Sequence, residues 1–297
     1  MSTSLSVSEL RKVMETPDQE RSPGFFRKVW IRFKTRAKIT WSYKLYFFTR
    51  YVRVLLDVII YAFFSFIVLP GALSKAFGGV QVSYVAFSAV GIATARLINT
   101  SFRGLGRIIR REQQKGTIEA VLSTKTSFYV ILLGDLLYYY LYASSFFLLA
   151  IFVGSLIKPE GFVFTFSSIS SAIVLVILAC FAHLSLALLS AAAILQFKEA
   201  SPVTRAINWL QRFLGGMFFP ITLLPKNVQW ISNGLPLAWS LKGIRYPLLI
   251  GASLFHPVVM NAAIFLILFG LLVFPIGVFM FQRVYNRVRR SGTLAEY

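Results

Sequence analysis

Six apolar runs punctuate the chain: Val54 to Leu73, Val80 to Phe102, Phe128 to Ile157, Ser168 to Leu195, Pro202 to Phe219 and Val258 to Gln282. Each is near or above the roughly 20 residues that cross a bilayer as a helix. Backbone groups cannot stay unpaired in hydrocarbon, and the alternation of a membrane barrel is absent, so the runs are predicted to be helices. The fold class is therefore all-α integral membrane, with six transmembrane helices. The third run, 30 residues of helix, would measure about 45 Å, longer than the hydrocarbon core. Its first turns, with Asp135, are expected to stand in the interface. The fourth is crowded with small residues from Ala179 to Ala193, which lets neighbouring backbones approach closely. The fifth carries Asn208, Gln211, Arg212, Gly215 and Gly216 and is the most polar.

The segments between runs divide the chain further. Residues 1–23 are polar, hold Pro17 and Pro23, and are expected to be a flexible terminus. In residues 24–53, Phe26, Trp30, Phe33, Ala37 and Trp41 recur at spacings of three and four among Arg27, Lys28, Arg32, Lys34, Arg36 and Lys38. That pattern predicts an amphipathic helix lying in the membrane interface, rings among the headgroups and cations toward anionic lipid. The alternative is a frayed extension of the first span. Residues 54–282 form the membrane domain, with a charged island at 103–127 and a broken, half-apolar segment at 220–257. The island's Ile118, Val121 and Leu122 share one helical face. The broken segment, interrupted by Pro225, Gly234, Pro236, Gly243, Pro247 and Gly251, is expected to form re-entrant helices packed on protein. Residues 283–297 form a basic tail.

Charge sets the expected topology. Of 31 Lys and Arg in a chain that is 57% hydrophobic, 12 fall in residues 1–53, seven in 96–125, three in 196–212 and four in 283–290. The other five are Lys75, Lys158, Lys226, Lys242 and Arg245. The two groups alternate between successive runs, which places both termini in the cytoplasm and makes the number of spans even. The formal charge of +20 thus serves topology and anionic lipid and does not imply nucleic acid. The first two dozen residues lack the apolar core of a cleaved signal peptide, so the first span is expected to act as its own signal. Cys180 is alone, and His183 and His256 lack ligand spacing, so neither a disulfide within the chain nor a metal site is indicated.

Charged or titratable groups inside a span are costly, which singles out Asp57, Arg96 and His183. Asp57 and Arg96 are expected at matching depths, either paired or facing water on a transport path. His183 reads as an interhelical hydrogen-bond partner or, alternatively, a proton relay. No phosphate-binding G-x-x-x-x-G-K-[ST] loop occurs, and Gly104-Leu105-Gly106 is too short for a dinucleotide fingerprint. Neither a Gly-x-Ser-x-Gly elbow nor a His-Glu-x-x-His helix is present. No catalytic residue and no bound cofactor are expected on this chain.

Two stretches resemble the type-2 permeases of ABC exporters. Glu112-Gln113-Gln114-Lys115-Gly116-Thr117-Ile118-Glu119-Ala120-Val121-Leu122, followed by Thr124 and Ile131-Leu132-Leu133-Gly134, is similar to that family's cytoplasmic segment. Phe219-Pro220-Ile221-Thr222-Leu223-Leu224-Pro225, continuing through Leu235-Pro236 to Arg245, is similar to its external one. Lys125 stands where the family has proline and Asp135 where it has a basic residue. The resemblance implies a permease in the cell membrane that is no enzyme itself. It would work as a dimer, either of this chain with itself or with a paralogue, and be driven by two copies of a separate ATPase subunit carrying ATP and Mg. The stretch around Gly116 to Leu122 resembles the coupling helix seated in that ATPase. There Ile118, Val121 and Leu122 would supply burial, Glu112 and Glu119 charge partners, and Gly116 the sharp entry, with Thr117 also in the docking stretch. The resemblance also puts the first and fifth spans beside the dimer seam, with Phe63, Phe66, Phe213 and Phe218 as lining candidates. The expected cargo is amphipathic, drug-like or lipid-linked, moved outward. Two other readings stay open at this point: an ion-coupled transporter using Asp57 or His183, and a non-transporting scaffold or sensor built on the basic surface helix.

Overall fold

The computed structural model describes residues 24–65, 73–116, 126–197 and 201–290. Among them the regular elements are α1 (Phe25–Ser42), α2 (Lys44–Phe64), α3 (Tyr84–Gln114), α4 (Phe128–Ile157), α5 (Phe166–Gln196), α6 (Ser201–Leu214), α7 (Lys226–Gly234), α8 (Pro236–Ile250) and α9 (Pro257–Arg290), with short 3-10 turns at Ser74–Phe77, Pro159–Gly161 and Ile221–Leu223. Three helices, α4, α5 and α9, are long and apolar enough to cross a membrane. A fourth crossing is α3, if its halves Tyr84–Thr100 and Gly104–Gln114, inclined at 47°, count as one span.

The described residues thus support three or four of the six expected crossings. The first expected span begins within α2 and runs on into residues 66–72, which lie outside the described residues. The fifth is shorter than its apolar run suggests. Helix α6 has 14 residues, about 21 Å at the usual rise and short of a hydrocarbon core of about 30 Å. It stops at Leu214 because the chain turns at Gly215 and Gly216, the latter at φ +79°, a region that side chains with a Cβ resist.

Other boundaries shift for local reasons. The expected surface unit 24–53 is two helices, since Tyr43 at φ −100°, ψ 66° interrupts the ladder between α1 and α2. Residues 44–53 therefore belong to the helix that carries Asp57. Helix α9 continues past Gln282 to Arg290, so the first part of the basic tail is helical, with Arg287, Arg289 and Arg290 at a carboxyl end whose dipole favours cations. Helix α4 spans Phe128–Ile157 as expected, and α5 starts two residues early on a capping box between Thr165 and Ser168.

The core sits among α3, α4, α5, α8 and α9. Helix α9 lies against α5, whose Ala179, Ala182, Ala187 and Ala191 are fully buried, as the small-residue pattern predicts. The broken segment is also packed on protein. Pro236, Leu237, Ala238, Leu241, Ile244 and Leu248 of α8 are buried in contact with α5, α9 and α3, so its interrupted backbone is shielded from lipid. Helix α1 has no buried residue of its own and lies along the first turns of α4.

Candidate functional site

Where α1 meets α3 and α4, two acids and two arginines lock together. Arg32 of α1 donates from Nε to Oδ1 of Asp135 at 2.8 Å and from Nη2 to Oε1 of Glu112 at 2.9 Å. Arg111 donates to the other Asp135 oxygen and lies 3.4 Å from Glu112 Oε1. Asp135 is 0% exposed and Glu112 nearly so, which only a paired carboxylate tolerates. Tyr139 extends the cluster, its hydroxyl accepting from Arg111 Nη1 at 2.8 Å and Arg36 Nη2 at 2.6 Å. Gly134 makes the approach possible: a Cβ there would lie 2.7 Å from Cβ of Arg32 and 2.9 Å from the carbonyl oxygen of Val29.

This corrects one expectation. Glu112, read as a charge offered to an outside partner, is spent inside the fold on Arg32 and Arg111. Sequence spacing names the face of a residue; it does not reveal a cation 80 residues away. Four residues on, Gly116 ends α3 in the left-handed region at φ +65°, its N–H donating to the carbonyl of Gln113 at 2.9 Å. Thr117, Ile118, Glu119, Val121 and Leu122 lie outside the described residues.

Beside the cluster, α2, α3 and the end of α6 enclose a cleft of about 720 Å³. Arg50, Arg53, Arg96, Arg107 and Arg212 line it together with Asp57, the one carboxylate among its described lining residues. Asp57 accepts a hydrogen bond from Arg96, so the two are paired and also border open space. Asn208 donates to Asn99 across the same wall. Of the aromatic candidates, Phe218 borders the cleft, its ring stacked 5.4 Å from that of Tyr61. Phe213 is exposed on α6 with its ring against Phe219, Phe63 is exposed on the outer face of α2, and Phe66 is outside the described residues. A second cavity of about 300 Å³, between α1, α3 and α4, shares Arg50 and Arg107 with the first and adds Arg36, Arg110 and Arg111.

Sequence reasoning missed these arginine walls, because four elements distant in the chain contribute to them. It also missed the role of Arg245. That side chain is 4% exposed and donates to the carbonyls of Phe87 at 3.2 Å, Gly216 at 2.7 Å and Met217 at 2.7 Å, its guanidinium 3.5 Å from the Phe87 ring centroid. The only hint was its place at the end of the second family-like stretch.

His183 is fully buried, and its Nδ1 lies 2.8 Å from the carbonyl of Ala179 one turn back on the same helix. The bond is intrahelical and not the interhelical one expected. A carbonyl only accepts, so the proton resides on Nδ1 and leaves Nε2 as an acceptor, which finds no hydrogen-bond donor among the described residues. Replacing His183 by leucine removes an unsatisfied polar atom of similar bulk. The thermal unfolding midpoint in detergent is expected to hold or rise. A fall of more than about 4 °C would show that the ring has a partner.

The model of the family described as ABC-2 type transporter matches residues 28–249. Nodulation protein J of Rhizobium meliloti (strain 1021) is 29% identical over 176 residues, 59% of this chain and 65% of that protein. Nodulation protein J of Sinorhizobium fredii (strain NBRC 101917 / NGR234) is 32% identical over 165 residues, 55% and 62% respectively. The match covers somewhat less than two thirds of either relative's length.

Proposed function

The chain belongs to the ABC-2 type transporter family, and from that premise we propose that it is the membrane permease of an ATP-driven exporter in the cell membrane. The observation that carries this is the extent of the family match, which runs across both the charged island and most of the broken segment. Two copies of a separate ATPase subunit would bind ATP and Mg and seat the stretch from Gly116 to Leu122. With the basic ends of α1, α3 and α9 on the cytoplasmic side, that stretch would face those subunits.

A second copy of the chain would pack on α2 and α6. Both present rows of exposed apolar side chains, Leu56, Ile59, Ile60 and Phe63 on α2, Trp209, Leu210 and Phe213 on α6. The short α6 needs protein around it to sit in the bilayer. The cleft between α2, α3 and α6 would then lie near the seam, and an amphipathic or lipid-linked cargo would pass outward along it.

The test is the double variant Ile118→Asp, Leu122→Asp, assembled with the ATPase in vesicles. Two carboxylates on the apolar face should abolish substrate-stimulated ATP hydrolysis while the permease still inserts and purifies normally. Unchanged stimulation overturns the assignment.

A further inference from the structure

We propose that the groove between the carboxyl ends of α5 and α9 seats one anionic phospholipid of the surrounding leaflet, its phosphate held between Arg283 and Arg287. The proposal goes beyond the permease reading and needs only that α5 and α9 cross the bilayer, as their length and hydropathy allow. The groove measures about 420 Å³, within the range of small-molecule sites. Further back the two helices are in tight contact, since a Cβ on Gly277 would lie 2.8 Å from the carbonyl oxygen of Ser185. Toward its end α5 presents Ala192 and Ala193 to the groove, side chains too small to fill it.

Helix α9 builds the other wall from one face. Met280, Arg283, Val284 and Arg287 line the groove at spacings of three and four, while Phe281, Tyr285 and Val288 are buried on the opposite side. The lining face runs back through Phe279, Ile276 and Leu272, all exposed. From Leu272 to Arg283 is about 16 Å of helix, close to the roughly 15 Å of hydrocarbon in one leaflet. An apolar stripe of that length ending in two guanidinium groups one turn apart has the order of an acyl chain followed by a phosphate. Charge selects the kind of lipid. Neither α5 nor α9 contains an aspartate or glutamate, and neither Arg283 nor Arg287 is bonded to another described residue. Glu199 and Glu296, the nearest acids along the chain, lie outside the described residues. Arginine's planar fork fits phosphate oxygens two at a time, and anionic lipid is the counter-ion at hand at a membrane surface. A lipid seated there would join the ends of α5 and α9.

The experiment is a titration of the purified full-length chain in detergent with phosphatidylglycerol, read as the apparent Kd of the first bound lipid by native mass spectrometry, with phosphatidylcholine as the neutral control. Phosphatidylglycerol is expected to bind about twenty-five times more tightly, at about fivefold for each of two cations beside anionic lipid. Arg283→Gln with Arg287→Gln should erase that preference. The lysine pair at the same positions should restore part of it, which separates loss of charge from loss of fold. Arg289→Gln with Arg290→Gln removes equal charge from the same helix end outside the groove and should leave the preference unchanged. Inorganic phosphate, compared with chloride at equal ionic strength, should not displace the lipid, and Glu199→Gln with Glu296→Gln should not tighten it. Equal affinity for the two lipids in the parent chain overturns the proposal, as does a preference lost equally from the Arg289 and Arg290 pair. Displacement by inorganic phosphate would make the groove a site for the free anion, and tightening in the glutamate variant would make a carboxylate of the chain its occupant; either result overturns the lipid.

Discussion

Replacing Arg245 by alanine is expected to remove most of the folded permease. The guanidinium lies at the end of the turn that follows α6 and donates to the carbonyls of Gly216 and Met217, backbone acceptors that no helix satisfies, while its Nε reaches Phe87 of α3. One side chain from α8 thus closes the end of α6 and ties both to α3. Buried groups left without a partner cost about 1–3 kcal/mol each. With two of the three carbonyls outside regular helix, the loss should reach about 4 kcal/mol before the ring contact with Phe87 is counted. That is a large fraction of the stability of an ordinary domain. Lysine keeps a charge but cannot direct three donors along one plane, so Arg245→Lys should fall between. Fluorescence-detected size exclusion after a temperature series measures it. An alanine variant that elutes and melts like the parent would show that the carbonyls find other donors.

Replacing Asp135 by alanine should release α1. The carboxylate is the shared acceptor for Arg32 and Arg111, and breaking a buried ion pair from one side costs about 3–5 kcal/mol because the opposite charge is stranded. Here Arg32 is partly exposed and can turn to solvent, so the lower end of that range is expected. Amide hydrogen exchange of residues 25–42 should rise sharply, while α5 and α9, which the network does not touch, keep their protection. Adding Arg32→Ala to the Asp135 variant should add only the smaller loss of its remaining bond to Glu112. Unaltered exchange in α1 would mean that its rings, such as Phe33 against Tyr138, hold it without the ions.

How far these features can be read from the chain depends on their range. Helix α4 coincides with its apolar run because both ends are marked locally, by Ser127 before it and by Lys158-Pro159 after it. The end of α9 is set by hydrogen bonding and not by hydrophobicity, so an apolar run stopping at Gln282 underestimates a helix that continues into a polar layer. The same logic in reverse misjudges α6, where apolar residues continue to Phe219 but the glycine pair ends the ladder. Pairing of Asp57 with Arg96 follows from matched depth along two neighbouring helices. The Arg32, Glu112, Arg111 and Asp135 cluster and the arginine cleft do not, because they depend on which helices become neighbours. Asp135 was visible as an acid expected in the interface and as a departure from the family's basic residue at that place. Its reason is Arg32, brought over it by α1.

That last contact also orders events during synthesis. Arg32 and Asp135 are 103 residues apart, and a ribosome adding roughly 5–20 residues per second separates them by about 5–20 s. In that interval α2 and α3 emerge while α1 has no carboxylate from α4 to hold it. The emergence of Asp135 supplies the partner that Arg32 lacked, so the first of the described helices to leave the ribosome is among the last to be fastened.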